Sequence, residues 1–326
     1  MPQHDVATFL PPMDSTTVDF DFLQGWFDVT SRRLRDPLDH TSGWVVTQAT
    51  SSARTHFGGA VSIDEMSFPA NGNYGMSLRL FDPAQRAWSI YWVDSRTGRL
   101  QPPVIGRSRR WLTGPDEYAE HPVIASYSWT DVTDHAARWQ QCFSLDEGAT
   151  WLPNWTMDFV RRASEPDHTA PSRVISDFDF LVGRWHVQHR RLLDPLGAGC
   201  HWVDFTGVMT ARSYFDGAVS VDEDSLSEPG QRGLTFGTYD RAAREWAIYW
   251  VNSRVGRLQP PVRGAFVDGV GTFVGTEHID GRNVLVRFVW SEISTGSARW
   301  RQAFSVDAGT NWTENWEMRF TRAASA

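Results

Sequence analysis

The chain has 326 residues, enough for two domains that each bury a core. Its formal net charge of -8 argues against a general attraction to phosphate backbones or anionic lipid, so neither nucleic acid nor a membrane is expected as a partner. All 31 residues counted as lysine or arginine are arginine, which excludes Schiff-base chemistry, a pyridoxal-phosphate anchor and a P-loop lysine.

Along the chain, residues 1–18 carry neither a basic n-region nor an apolar h-region, and no apolar run is long enough to span a bilayer. A cytoplasmic location is expected. A short turn over Phe20 to Leu23 precedes segments that alternate apolar and polar residues with period two, clearest at 88–93 and 138–144 and, later in the chain, at 283–290 and 315–320. Turn signals at Asp82-Pro83, Asp146-Glu147-Gly148, Asp280-Gly281 and Asp307-Ala308-Gly309 bound them. This is the pattern of antiparallel strands in a sandwich or closed barrel. The two cysteines, Cys142 and Cys200, stand at non-equivalent places and read as reduced, buried thiols.

The chain also repeats itself. Residues 19–25 return as 177–183, and Tyr91 to Arg96 followed by 98–104 returns as Tyr249 to Arg254 followed by 256–262, with Asp94 exchanged for Asn252. Trp151, Asn154, Trp155, Met157 and Phe159 return as Trp312, Asn315, Trp316, Met318 and Phe320. A fixed internal period marks a duplicated structural unit. Two barrels are expected, at 15–163 and 174–326, joined by a Pro- and Ser-rich linker at 164–173.

Gly183-Arg184-Trp185 opening a first strand after a short turn resembles the Gly-x-Trp start of lipocalin-like (calycin) barrels. The endings, 143–155 and 304–316, resemble the closing strands of bacterial lipocalin-like domains of unassigned function. The first half departs from the pattern, with Trp26 one place early and Phe27 where Trp185 stands. The resemblance implies an all-β fold of two tandem lipocalin-like antiparallel β-barrels related by internal duplication. Such barrels host carriers and enzymes alike, so it implies no activity.

If the apolar parity of each strand marks its interior face, Trp185, Val187, His189 and Arg191 point inward, as do Val219, Val221 and Glu223. Trp246, Ile248, Trp250 and Asn252 follow, then Trp300, Gln302 and Phe304. In the first half the same parity selects Arg33, Glu65, Asp94 and Gln141. An apolar pocket with a few convergent polar groups is the usual form of a small-molecule site. Alternatively each arginine pairs with its glutamate and leaves no cavity. His189, whose counterpart is Ser31, makes the second half the catalytic candidate, with His189 or Glu223 as base and Arg191 holding developing negative charge. The loops carrying Arg96 and Arg99, or Arg254 and Arg257, either guard a barrel mouth and hold an anionic group or join the two halves.

The expected function is a cofactor-independent enzyme acting on a small hydrophobic or aromatic metabolite by isomerisation, cyclisation or elimination. A non-catalytic binder of a small apolar ligand and an interaction module with filled barrels are the alternatives. No metal motif, Gly-x-Ser-x-Gly or nucleotide loop occurs. No cofactor is expected, although a haem held by His189 or His278 remains open. The oligomeric state is not legible.

Overall fold

In the computed structural model the described residues are 17–166, 175–196, 201–226, 232–279 and 281–324. Residues 1–16, most of the expected linker, Cys200 and Asp280 lie outside them. Among the described residues no helix is long and apolar enough to cross a membrane.

Two closed ten-strand antiparallel barrels follow one another along the chain. The first comprises β1 (Gly25–Leu34), β2 (Trp44–His56), β3 (Val61–Phe68), β4 (Asn73–Asp82) and β5 (Ala87–Asp94), continuing with β6 (Val104–Ser108), β7 (Trp111–Tyr118), β8 (His121–Thr130), β9 (Ala136–Ser144) and β10 (Leu152–Arg162). The second repeats the scheme with β11 (Gly183–Leu192), β12 (Trp202–Tyr214), β13 (Val219–Leu226), β14 (Arg232–Asp240) and β15 (Glu245–Asn252). It closes with β16 (Val262–Val267), β17 (Val270–Ile279), β18 (Arg282–Ser291), β19 (Ser297–Ser305) and β20 (Thr313–Arg322). Each strand neighbours the next in sequence, and the last returns to the first, so that Val29 faces Phe159 and Val187 faces Phe320. Closure removes every sheet edge and commits alternate side chains to an enclosed interior.

The repeated Asp-Phe-Leu turn, 3-10 helical at Asp21–Leu23 and Asp179–Leu181, plugs one end of each barrel with a buried leucine. The arginine near the end of the last strand reaches this plug. Arg322 donates from Nε to the Thr295 carbonyl at 2.6 Å, from Nη1 to that of Val182 at 2.8 Å and from Nη2 to that of Phe180 at 2.6 Å. Its guanidinium lies 4.2 Å from the ring centre of Trp185, whose Nε1 donates to the Leu181 carbonyl. Arg161 makes the same three bonds, to Asp134, Gln24 and Phe22, over the ring of Phe27. The shifted tryptophan of the first half is thus met by a phenylalanine in the same structural place. Gly183, at φ 120°, is required here because a Cβ would stand 2.8 Å from Arg322 Nη1.

Replacing Arg322 by alanine strands three carbonyls and uncovers Trp185, so a loss of about 2–3 kcal/mol is expected in denaturant unfolding. Lysine should recover little of it, because one ammonium cannot span the fork that guanidinium presents. Full recovery by lysine would show that charge alone matters.

Candidate functional site

The second barrel encloses a cavity of about 350 Å³. Its walls are aromatic: Trp250 from β15, Phe288 and Trp290 from β18, Trp300 and Phe304 from β19, and Trp316 and Phe320 from β20. Trp316 stands edge-on to Trp250 at 6.3 Å and to Trp300 at 5.7 Å, the geometry that ring quadrupoles favour. Trp250 lies flat across β14 because Gly233 is there; a Cβ would stand 1.8 Å from its ring. Set into these walls are Ser220, Asp222 and Asp224 from β13, Thr235 from β14, Asn252, Glu277, Gln302 and Asn315, with Arg191 near Leu192 at the end of β11. Gln259, from the Gly-Arg-Leu-Gln-Pro-Pro loop, also lines the space.

The first barrel explains why this space is open. There Arg79 on β4 turns inward and donates from Nη1 to Asp64 Oδ1 at 2.6 Å, with both side chains almost fully buried. The guanidinium lies 5.4 Å from the ring centre of Phe20 and 5.9 Å from that of Trp129. In the second barrel Asp222 stands in the place of Asp64, Phe178 in that of Phe20 and Trp290 in that of Trp129, and all three line the cavity. Arg79 is replaced by Gly237. Among the described residues no guanidinium forms an ion pair with Asp222; the carboxylate instead accepts a hydrogen bond from Thr235.

Three further exchanges accompany the missing arginine. Met66 becomes Asp224, Ser31 becomes His189, and Ala49 becomes Gly207. His189 Nε2 lies 3.3 Å from Asp224 Oδ2, and its ring stacks on Phe205 at 4.6 Å with 6° between planes. Gly207 makes the pair fit: a Cβ there would lie 2.6 Å from Asp224 Oδ1 and 2.8 Å from His189 Nε2. Asp224 Oδ1, both ring nitrogens of His189, Trp316 Nε1 and Asn315 Nδ2 are buried without hydrogen-bond partners. In the first barrel the indole of Trp155 donates to Ser31 at 2.9 Å, so the exchange of Ser31 for His189 orphans Trp316.

Burial pushes the carboxyls of Asp222 and Asp224 up to about 7, with the nearby Asp224 charge adding to the rise at Asp222. Burial, with a smaller contribution from the Arg191 charge, lowers His189 to about 4. Glu277 is raised by burial, against the pull of Arg191. Near neutrality the cavity therefore holds a neutral imidazole beside carboxyls that gain and lose protons readily, which suits proton transfer.

Several expected site residues stand in or beside this cavity: Arg191, Trp250, Asn252 and Gln302 line it, and His189 lies 3.3 Å from Asp224. Glu223 requires correction. Both faces of β13 are buried, Val219 and Val221 no less than Ser220 and Asp222, so apolar parity there marks the wrong face as interior. The cavity takes Ser220, Asp222 and Asp224, and Glu223 turns away, 3.8 Å from Arg232. Glu65 sits on the equivalent outward face, opposite Asp64. Trp185 belongs to the plug beneath Arg322. Arg254 is exposed, and its backbone N–H donates to Asn252 Oδ1 at 2.8 Å, which gives Asn252 a turn to hold as well as a wall. In the first half Asp94 accepts from the Arg96 backbone and pairs with its guanidinium. Gln141 donates to Asn154 as Gln302 does to Asn315. Arg33 stacks over Trp155 as Arg191 does over Trp316. His278 is exposed beside Asn283. Among the described residues no His, Cys, Asp and Glu cluster fit for a metal occurs.

The residues missed were Asp222, Asp224, Gly207 and Gly237. Aligning the halves position by position exposes all four, because each differs from its twin or has lost its twin's partner.

The raised acids bind more protons folded than unfolded between about pH 4 and pH 7, so the stability they confer is lost as pH rises through that window. His189, lowered to about 4, acts in the opposite sense below its ordinary value, and Glu277 and Arg191 face the same space. Asp222→Asn removes one buried charge while keeping a partner for Thr235. Its stability relative to the parent should rise between pH 5 and pH 8, by on the order of 2 kcal/mol, in urea titrations at each pH. A difference independent of pH would refute the assignment.

No family model matches the chain, and no curated protein matches it. Among solved structures, it is similar to a protein of unknown function of the DUF3598 family from Nostoc punctiforme, with 12% identity and a TM-score of 0.29, over 95% of this chain and 100% of that one. A double mutant of transferrin binding protein B from Haemophilus parasuis, a vaccine antigen, aligns with 8% identity and a TM-score of 0.15, over 92% of this chain and 76% of that one.

Proposed function

We propose that the second barrel binds a small, flat, largely aromatic or apolar molecule. The observation that carries this reading is the 350 Å³ cavity walled by four tryptophans, which falls in the size range of small-molecule sites. The first barrel, with Asp64 and Arg79 paired inside it, fits the filled form of the same scaffold. We read both barrels as lipocalin-like. The supporting features are the Gly-Arg-Trp opening of β11 under Arg322 and the simple up-and-down closure.

A second reading adds catalysis, favoured by the cluster of Asp222, Asp224 and His189. In it Asp224 gives or takes a proton on the bound molecule, with the neutral His189 ring packed 3.3 Å from its Oδ2, and Arg191 stabilises negative charge that develops on an oxygen. Isomerisation, cyclisation or elimination without a cofactor is the matching reaction class.

Native mass spectrometry of protein from its own host should find a small molecule bound, released on denaturation and able to quench tryptophan fluorescence when added back. No bound mass, together with no quenching by an aromatic panel, would rule against the binding reading. Incubating the released compound with protein in D₂O separates the two. Conversion or deuterium uptake that falls about 100-fold in Asp224→Asn, with binding intact, supports catalysis; an unchanged compound leaves a binder.

A further inference from the structure

The first barrel is a record of what the second one lacks. Arg79 places a planar cation between Asp64, Phe20 and Trp129, combining a charge-assisted hydrogen bond with two aromatic faces. The second barrel keeps every part of that receptor as Asp222, Phe178 and Trp290, and removes only the side chain that filled it. A Cβ at Gly237 would meet nothing closer than 3.6 Å, so the backbone there still has room for a side chain.

We propose that the ligand of the second barrel carries a cationic nitrogen group, an amidine, guanidine or amine on an aromatic or apolar body, seated where the Arg79 guanidinium sits in the first barrel. This rests on the reading of the second barrel as a small-molecule site and names the chemistry that the site selects. The cation pairs with Asp222 and lies against Phe178 and Trp290, while the aromatic body fills the space between Trp250, Trp300 and Trp316.

Two other observations agree. Asp224 takes the place of Met66, adding a second acid on the same face of β13, and its Oδ1 is buried, without a hydrogen-bond partner, in the cavity wall. The cation among the described lining residues, Arg191, is engaged over Trp316 at 4.6 Å and faces Glu277, so it is not the partner of Asp222. A buried acid left without its cation is costly unless it is protonated or meets a new one.

The test compares three probes of one shape by calorimetry with the full chain: 2-naphthamidine, neutral 2-naphthamide and anionic 2-naphthoate. The amidine should bind about tenfold or more tightly than the amide, with the acid weakest. In Asp222→Asn the preference for the amidine should vanish while the amide still binds, and Asp222→Glu should keep it. Equal binding of amidine and amide, or a preference for the acid, overturns the cationic ligand and leaves the pocket standing. Failure of all three to bind overturns the pocket together with it.

Discussion

The buried ion pair between Asp64 and Arg79 is the interaction against which the rest of this protein is best understood. A ten-strand ring fixes an interior volume through its strand number, and that volume is closed to water unless side chains leave it open. In the first barrel an arginine and an aspartate stand inside it, joined by one charge-assisted hydrogen bond in a low-dielectric interior where either charge alone would be expensive. The second barrel inherits the ring, the aspartate and the aromatic walls, and loses the arginine. With that loss go a cavity, an aspartate whose pKa burial raises to about 7, and a second acid with a histidine beside it.

The exchanges are coupled rather than independent. Asp224 and His189 occupy the same corner, and that corner exists because Gly207 has no Cβ. The hydrogen bond between Trp155 and Ser31 is given up for the histidine, leaving the Trp316 indole donor buried without a partner. Such buried, unpaired groups cost stability. The arginine clamps at the plugged ends are unaffected: Arg161 and Arg322 make matching bonds although one covers phenylalanine and the other tryptophan. The scaffold is held constant at one end while the interior varies.

Much of this was legible in the sequence. The repeat announced two copies, and period-two alternation with turn signals announced antiparallel strands. Parity placed Trp250, Asn252 and Gln302 on the face that lines the cavity, although β15 is buried on its other face too, at Ala247, Tyr249 and Val251. It failed on β13, where valines and short polar residues are buried on both faces and hydrophobicity carries no directional information. Gly237 was missed for a different reason: its meaning lies in the arginine of its twin, and a glycine in a strand read alone signals only a bend or close approach. Trp185 shows the opposite error, since an inward aromatic at the plugged end is core rather than wall.

The most direct test of the central claim is the number of sites per chain for a naphthalene-sized fluorophore, N-phenyl-1-naphthylamine, in the parent protein and in Gly237→Arg. The account predicts one site in the parent and none in the variant, whose new guanidinium fills the cavity and pairs with Asp222 as Arg79 does with Asp64. Binding that persists unchanged in Gly237→Arg, or two sites per parent chain, would contradict it.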